Sequence, residues 1–162
     1  MTTPTDDCCG LAEGGMACAP RQPAAAEGCP ACSGRLRTVS AAHVMRQVRR
    51  PAGRGIEAVE AFGFCAAADC PAVFIGGGLR FDAADLRRPP AYKTGNAADL
   101  LCYCFDVSGA DALAPGAAET VAFIRERVRA GDCACDVLNP SAGCCLGSIG
   151  AWQKAHGGTR TG

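Results

Sequence analysis

The sequence predicts an α+β fold made of two small modules. Three observations favour this prediction. The chain has 162 residues but only 6% aromatic side chains, so a module of about 60 residues would have a thin core and would need metal ions or disulfides for stability. Its 13 cysteines fall in tight groups spaced C-x-x-C, C-x-C and C-C. Short segments with strand-like and helix-like patterns lie between these groups.

The cysteine content fits either a secreted disulfide framework or a metal protein. We favour metal binding because the number of cysteines is odd, the spacings suit ligand groups, and residues 1–7 lack the basic and apolar regions of a signal peptide. No stretch approaches the roughly 18 to 20 apolar residues of a membrane span. We therefore expect a reducing, cytoplasmic setting. The net charge of zero does not indicate a polyanionic partner such as nucleic acid.

Residues 1–27 are predicted to form a disordered tail, because Ala, Pro, Gly and Asp dominate and neither a helical nor a strand period is visible. The tail contains Cys8, Cys9 and Cys18. These thiols are either incidental or part of a mobile arm that captures a soft ion. Adjacent cysteines suit a two-coordinate ion such as Cu(I) or Hg(II).

Residues 28–98 are predicted to form a β-α-β-β module around one zinc ion. Cys29 and Cys32 belong to a C-P-x-C-x-G motif with the form of a zinc knuckle, and Cys65 and Cys70 form a second pair. Four thiolates at these spacings can close a structural zinc site. The alternative is four buried, reduced cysteines. We disfavour it because nothing else is available to hold so thin a core.

The secondary structure of this module follows from its apolar pattern. Strands are expected at 36–39, 61–65 and 72–75, with another short strand starting at 79 after a glycine turn at 76–78. Ser40 can cap a helix that runs to about Arg49, with Val44 and Val48 on one face. His43 in this helix is interpreted as a satisfied or exposed residue rather than a ligand.

Residues 99–162 are predicted to form a mostly helical module with six further thiols. These are Cys102, Cys104, Cys133, Cys135, Cys144 and Cys145. Two thiol groups brought together can complete a four-thiolate cage, which suits an iron–sulfur cluster or zinc. The preceding residues 82–99 contain Pro89, Pro90 and Gly95 and are predicted to be a connector, with a boundary near Ala98.

The best helix of the chain is predicted at 117–130, where Val121, Ile124 and Val128 share one face and Gly131 suits the helix end. The pair Cys133 and Cys135 is expected in the loop that follows. A last helix is expected at about 143–154. The pair Cys144 and Cys145 opens it, so that free backbone amides and the helix dipole would stabilise a thiolate there.

These motifs together resemble the N-terminal domain of CopZ-type copper chaperones, a family that carries a mononuclear zinc and a [2Fe–2S] cluster. The resemblance covers about residues 28–155 and rests on four segments, 29–34, 63–70, 102–105 and 139–147. The second half is also similar to bacterioferritin-associated ferredoxin-like domains. Full chaperones of this type continue into a copper-binding domain with an M-x-C-x-x-C loop, a motif not found after His156 here.

The resemblance implies two sets of cysteine ligands. The zinc ligands would be Cys29, Cys32, Cys65 and Cys70. The favoured cluster ligands are Cys102, Cys104, Cys135 and Cys145. We favour Cys145 because it directly precedes Leu146-Gly147 at the start of the helix, and Cys135 because it is the nearer of its pair to the Asn-Pro loop. Cys133 and Cys144 remain alternatives, since neighbouring thiols exchange easily as ligands.

The first functional hypothesis is a redox-active iron–sulfur and zinc protein that serves soft-metal handling, with copper as the expected metal. It would pass an electron to a metal ion or to a partner such as a metal-transport or chaperone protein, and the tail thiols would receive Cu(I). The missing copper domain is then a separate protein, is replaced by the tail thiols, or is lost by truncation. The alternatives are a non-redox binding or sensing module and thiol-based metal sequestration. We do not expect an enzyme, because no nucleophile–base pair is visible.

Overall fold

The computed structural model describes residues 28–50, 53 and 55–157. The predicted tail at 1–27 lies outside these residues. The described chain has the predicted α+β class, with a four-stranded antiparallel sheet in the first part and mainly helices in the second. None of its described helices is long and apolar enough to cross a membrane.

The first part is built on four antiparallel strands in the order β1-β2-β3-β4. Their bounds are Leu36–Ser40, Ala61–Cys65, Ala72–Gly76 and Leu79–Asp82. The fourth strand, the short one expected from Leu79, pairs with β3 through a tight turn at Gly77 and Gly78, both with positive φ. Four phenylalanines concentrate in the buried core of this sheet: Phe62, Phe64, Phe74 and Phe81.

Helix α1, Ala41–Gln47, packs its apolar face on this core. Ser40 caps it as predicted, because its hydroxyl oxygen accepts a hydrogen bond of 3.1 Å from the backbone N–H of His43. Val44 and Val48 are buried in the core. The helix ends before the expected Arg49, because Val48 is already extended and forms an isolated bridge with Leu86.

The predicted connector contains regular structure. It begins with a 3-10 turn at Ala83–Asp85 and ends with a one-turn helix α2 at Ala91–Thr94. Leu86 is fully buried in the core of the sheet, and Ala91 is fully buried in a second core. The segment therefore packs against both parts of the protein.

The second part joins a short ribbon to three helices. The ribbon pairs β5, Leu100–Cys102, with β6, Val107–Ser108. The helices are α3 at Ala117–Ala130, α4 at Cys135–Leu138 and α5 at Leu146–His156. Helix α3 has the predicted bounds. Helix α4 replaces part of the expected loop, and α5 begins at Leu146 instead of Gly143. The core between them includes Ile124, Ile149 and Trp152.

Candidate metal centres

Four predicted thiols converge at one end of the sheet. Cys29 and Cys32 lie in the turn before β1, Cys65 ends β2, and Cys70 precedes β3. Their sulfur atoms all lie within 4.8 Å of one another. The Sγ–Sγ distance is 3.8 Å between Cys29 and Cys70 and 3.6 Å between Cys32 and Cys65. Zinc–sulfur bonds of about 2.3 Å in a tetrahedron place sulfurs about 3.8 Å apart. This first thiol set can therefore bind one metal ion.

The turn that carries the first two thiols is shaped by its small residues. The backbone N–H of Ser33 donates to the carbonyl of Cys29 at 2.7 Å, and Ser33 itself has a positive φ of 60°. The N–H of Gly34 points at the sulfur of Cys32 at 3.4 Å. A Cβ at position 34 would lie only 3.2 Å from that sulfur. The glycine thus lets a backbone amide face a ligand atom, as the C-P-x-C-x-G motif indicates.

The thiols of the first set differ in acidity. Burial raises the pKa of Cys65 to about 12 and also raises the pKa of Cys70. Burial acts in the same direction on Cys29, but the backbone amides of Ala31 and Cys32 outweigh it and lower the pKa of Cys29 to about 7. Metal binding must therefore displace protons from the buried thiols, so binding to this set is expected to weaken in acid.

Lys93, in helix α2, braces the loop between Cys65 and Cys70. Its ammonium donates three hydrogen bonds, to the carbonyls of Ala67 at 2.7 Å, Cys70 at 2.9 Å and Ala72 at 2.8 Å. Its positive charge also opposes the effect of burial on the pKa of Cys65. Sequence analysis missed this residue because it lies in the predicted connector, and no spacing pattern links it to the thiols.

Replacing Lys93 with Met should weaken the first thiol set without removing a sulfur. A partly buried hydrogen bond from a charged donor contributes about 2 kcal/mol to stability. Loss of the Lys93 ammonium would leave three carbonyls to be hydrated by water instead. We expect the free energy of unfolding to fall by about 2 kcal/mol and zinc to dissociate faster to a chelator. Lys154→Met, on the exposed end of α5, is the control. Equal zinc release from both variants would contradict this role of Lys93.

The predicted cluster thiols also come together, but as two pairs. The sulfurs of Cys104 and Cys135 lie 3.7 Å apart, and Cys102 and Cys145 are buried in one cluster, where each thiol shifts the pKa of the other. Among the described residues, only the first thiol set has three or more ligand atoms that all lie within 4.8 Å of one another. These four cysteines, the paired thiol set, therefore lie in one cluster but are less closely gathered than the first thiol set.

The paired thiol set is held by the ends of four elements. Cys102 ends β5, Cys104 lies in the turn before β6, Cys135 begins α4, and Cys145 precedes α5. Cys102, Cys135 and Cys145 are buried, whereas Cys104 is half-buried. Backbone amides point at the sulfurs, including the N–H of Ala134 at 3.3 Å from Cys104. The site therefore has a shielded interior and one partly exposed edge.

The interaction between paired thiols separates their acidities. The neighbouring Cys145 thiol, against the effect of burial, lowers the pKa of Cys102 to about 6. The same interaction, with burial, raises the pKa of Cys145. Burial raises the pKa of Cys135 to about 12. Cys102 is thus more acidic than Cys135 and Cys145, and a metal that binds these two must displace their protons.

The two alternative ligands are placed differently. Cys133 is half-buried in the loop after α3 and lies close enough to Cys135 to influence its pKa. Cys144 is exposed and lines a cleft of about 850 Å³ beside Arg37 and Tyr92. The structure thus brings the four favoured thiols together, and their role as ligands stays a prediction. The tail thiols Cys8, Cys9 and Cys18 lie outside the described residues.

Helix α1 of the first part holds the end of α4 and the loop that follows it. The side-chain amide of Gln47 donates to the carbonyls of Val137 at 2.9 Å and Leu138 at 3.3 Å. His43 Nε2 lies 3.1 Å from the carbonyl oxygen of Pro140. His43 is buried and has a partner, so of the two expected placements, satisfied or exposed, the first is correct. The sheet part therefore positions the backbone between Cys135 and Cys145.

The contact of His43 predicts a pH dependence of stability. Burial lowers the pKa of His43, and the nearby Arg46 lowers it further. Below about pH 6.5 the unfolded chain takes up a proton that the folded protein resists, so the free energy of unfolding should fall as the pH decreases. His43→Gln keeps a donor for Pro140 but does not titrate. Urea unfolding at pH 7 and pH 5 should show a smaller loss for this variant, and equal losses would contradict the assignment.

Fold and thiol geometry define a small α+β protein with a four-cysteine site that can bind a metal ion. The structure is similar to the X-ray structure of the Archaeoglobus fulgidus CopZ N-terminal domain, with a TM-score of 0.62 and 25% sequence identity over 76% of this chain and 95% of that chain. No family model and no curated protein matches the chain. The chain thus has a CopZ-like fold, as the motifs between 28 and 155 implied.

Proposed function

We propose that the protein handles soft metal ions, copper above all, with a structural zinc ion in the first thiol set and a redox-active [2Fe–2S] cluster in the paired thiol set. The observation that carries this proposal is the contrast between the two sets within one CopZ-like fold. One set fits a single tetrahedral ion, and the other combines the close pair Cys104 and Cys135 with the buried Cys102 and Cys145 in one cluster.

The first thiol set supports a structural role for zinc. Four cysteines would fill all four positions of a tetrahedral ion and leave none for water or substrate, which distinguishes structural from catalytic zinc sites. Its buried members, Cys29, Cys65 and Cys70, also lie in a different cluster from the paired thiols. We therefore propose a binding and electron-transfer protein rather than an enzyme.

The paired thiol set supports a [2Fe–2S] cluster in a module similar to bacterioferritin-associated ferredoxins. Such a cluster is held by four thiolates and supplies exchange of one electron. Burial of Cys102 and Cys145 excludes water from one side, while half-buried Cys104 gives access from the other. The amide of Ala134 on Cys104 would favour the reduced form, since hydrogen bonds to sulfur stabilise added negative charge.

The electron would go to a copper ion, which is reduced from Cu(II) to Cu(I), or to a metal-transport or chaperone protein. All ten cysteines of the described chain are free, which fits the proposed reducing, cytoplasmic compartment. The Cys8-Cys9 pair would hold Cu(I), because such ions prefer two soft ligands.

Metal and sulfide analysis of anaerobically purified protein tests this function directly. We expect about two irons and about two sulfides per chain, about one zinc, and an EPR signal that appears only after reduction with dithionite. A cluster that forms but does not cycle would favour the sensing alternative. Zinc without iron or a chromophore would overturn the redox proposal and favour a binding or sequestration protein.

A further inference from the structure

A small groove with arginines around an apolar floor lies between the two parts of the protein, beside helix α4. It has a volume of about 130 Å³. Its lining residues are Arg46, Gln47, Arg87, Arg88, Val137 and Leu138. We call it the arginine groove. Val137 and Leu138 are 41% and 39% exposed and are adjacent in α4, so together they form an exposed apolar patch on the floor of the groove.

The charge of the arginine groove is not balanced by its surroundings. Arg88 forms an ion pair with Asp106. Within the part of the chain that the structure describes, neither Arg46 nor Arg87 pairs with a carboxylate. Asp136, next to Val137 in α4, is the acidic residue nearest in sequence to the floor. The groove thus concentrates positive charge in a protein whose net charge is zero.

The groove is also preformed. Gln47 holds the carbonyls of Val137 and Leu138 and so fixes the floor against α1. Arg87 is held by two contacts, since its Nε donates to the carbonyl of Val48 at 2.8 Å and its backbone N–H donates to the carbonyl of Gln47 at 2.8 Å. A rigid site loses little conformational entropy when it binds a partner.

We propose that the arginine groove docks an acidic partner protein, through a segment that presents carboxylates around one apolar side chain. This inference rests on the proposed function, which requires a partner to approach the paired thiol set, and it names the chemistry of that partner. Cys135 begins α4 and Leu138 ends it, so the floor of the groove lies about 5 Å along the helix axis from a ligand residue. Docking here would bring the partner beside the thiols.

The composition of the groove favours a protein over other anions. Phosphate or nucleic acid would be bound by the arginines alone and would gain nothing from the exposed Val137 and Leu138. Protein interfaces instead combine buried apolar anchors with surrounding arginines. The two aliphatic side chains therefore indicate an apolar anchor on the partner, and the arginines indicate flanking carboxylates.

Binding of labelled peptides to the full chain, measured by fluorescence anisotropy, tests the proposal. The probe is Glu-Glu-Leu-Glu-Glu, and the controls are its Gln-Gln-Leu-Gln-Gln and Glu-Glu-Ala-Glu-Glu counterparts. We expect the probe to bind more tightly than either control. The double variant Arg46→Glu with Arg87→Glu should weaken binding about tenfold or more, as should high salt. The matched control, Arg125→Glu with Arg129→Glu on exposed positions of α3, should leave it unchanged.

Several results would overturn this assignment. Equal affinity in the groove and α3 variants would show that the peptide binds by net charge alone. A dimer abolished by Arg46→Glu would assign the groove to a second copy of the chain. Much tighter binding after deletion of residues 1–27, which include Asp6 and Asp7, would assign it to the chain's own N-terminal segment. Iron, sulfide and EPR measurements on the same sample test the proposed function separately, because peptide binding uses no redox readout.

Discussion

Cys104→Ala is expected to yield colourless protein without iron or inorganic sulfide, while zinc remains bound. Cys104 lies 3.7 Å from Cys135 and is the half-buried member of the paired thiol set. Its removal would leave three of the four thiolates that a [2Fe–2S] cluster requires, and alanine offers no ligand atom. The loss of visible absorbance is therefore expected to be nearly complete. The measurement is the visible spectrum with iron, sulfide and zinc contents after anaerobic purification.

Cys133→Ala is the matched control for this experiment. Cys133 and Cys104 are both half-buried and both lie near Cys135, so they differ mainly in membership of the pairs. The Cys133→Ala control should keep its colour, its iron and its zinc. A coloured Cys104→Ala protein, or a colourless Cys133→Ala protein, would show that the ligands are exchanged between neighbouring thiols.

The choice between neighbouring thiols illustrates what sequence reasoning could not decide. Spacing alone places Cys144 and Cys145 equally close to the last helix. In the structure α5 begins at Leu146, and the chain turns so that Cys145 is buried against Cys102 while Cys144 faces a cleft. The direction of each side chain follows from backbone geometry at a helix start, which a C-C motif does not specify. Cys145 was favoured only because it directly precedes Leu146-Gly147, and its burial beside Cys102 was not predictable from that position.

Elements with a strong local pattern were predicted well. Helix α3 has a continuous apolar face and a glycine at its end, and its bounds agree with the prediction. Helix α4 has only four residues, too few to be stable in isolation, and it was missed. Its carbonyls are held by Gln47 from another part of the chain. Such an element depends on tertiary contacts, which no local period reveals.

The core of the sheet also differs from what composition suggests. The low aromatic content predicted a thin core, yet four of the six phenylalanines of the chain are concentrated in it. The first thiol set lies in a separate, smaller cluster with Ala72 at the end of the sheet. A metal in this set would therefore fasten the turn of Cys29 and the loop of Cys70 onto a sheet that has its own apolar core.

Because the sheet has an apolar core separate from the first thiol set, Cys32→Ala should affect metal binding and Tm more than the strands themselves. Zinc should be lost, because three thiols leave the fourth tetrahedral position to water, and burial, which raises the pKa of Cys65 and Cys70, favours their protonation over metal binding. Structural zinc contributes about 10 to 16 kcal/mol of apparent folding free energy in small zinc domains. Loss of a fraction of this would lower Tm by more than about 10 °C in a chain of this length. The strands should persist at low temperature, since their phenylalanine core is intact.

Cys144→Ala provides the comparison, because Cys144 and Cys32 are both exposed cysteines and only Cys32 belongs to the first thiol set. Zinc content, far-UV circular dichroism and thermal unfolding of the two variants should differ sharply, with Cys144→Ala close to the parent protein. An unchanged Tm in Cys32→Ala with zinc lost would mean that the metal is not structural. Its function would then have to be sought in exchange of the ion, since exposure of Cys32 leaves that edge of the site open to an incoming thiolate.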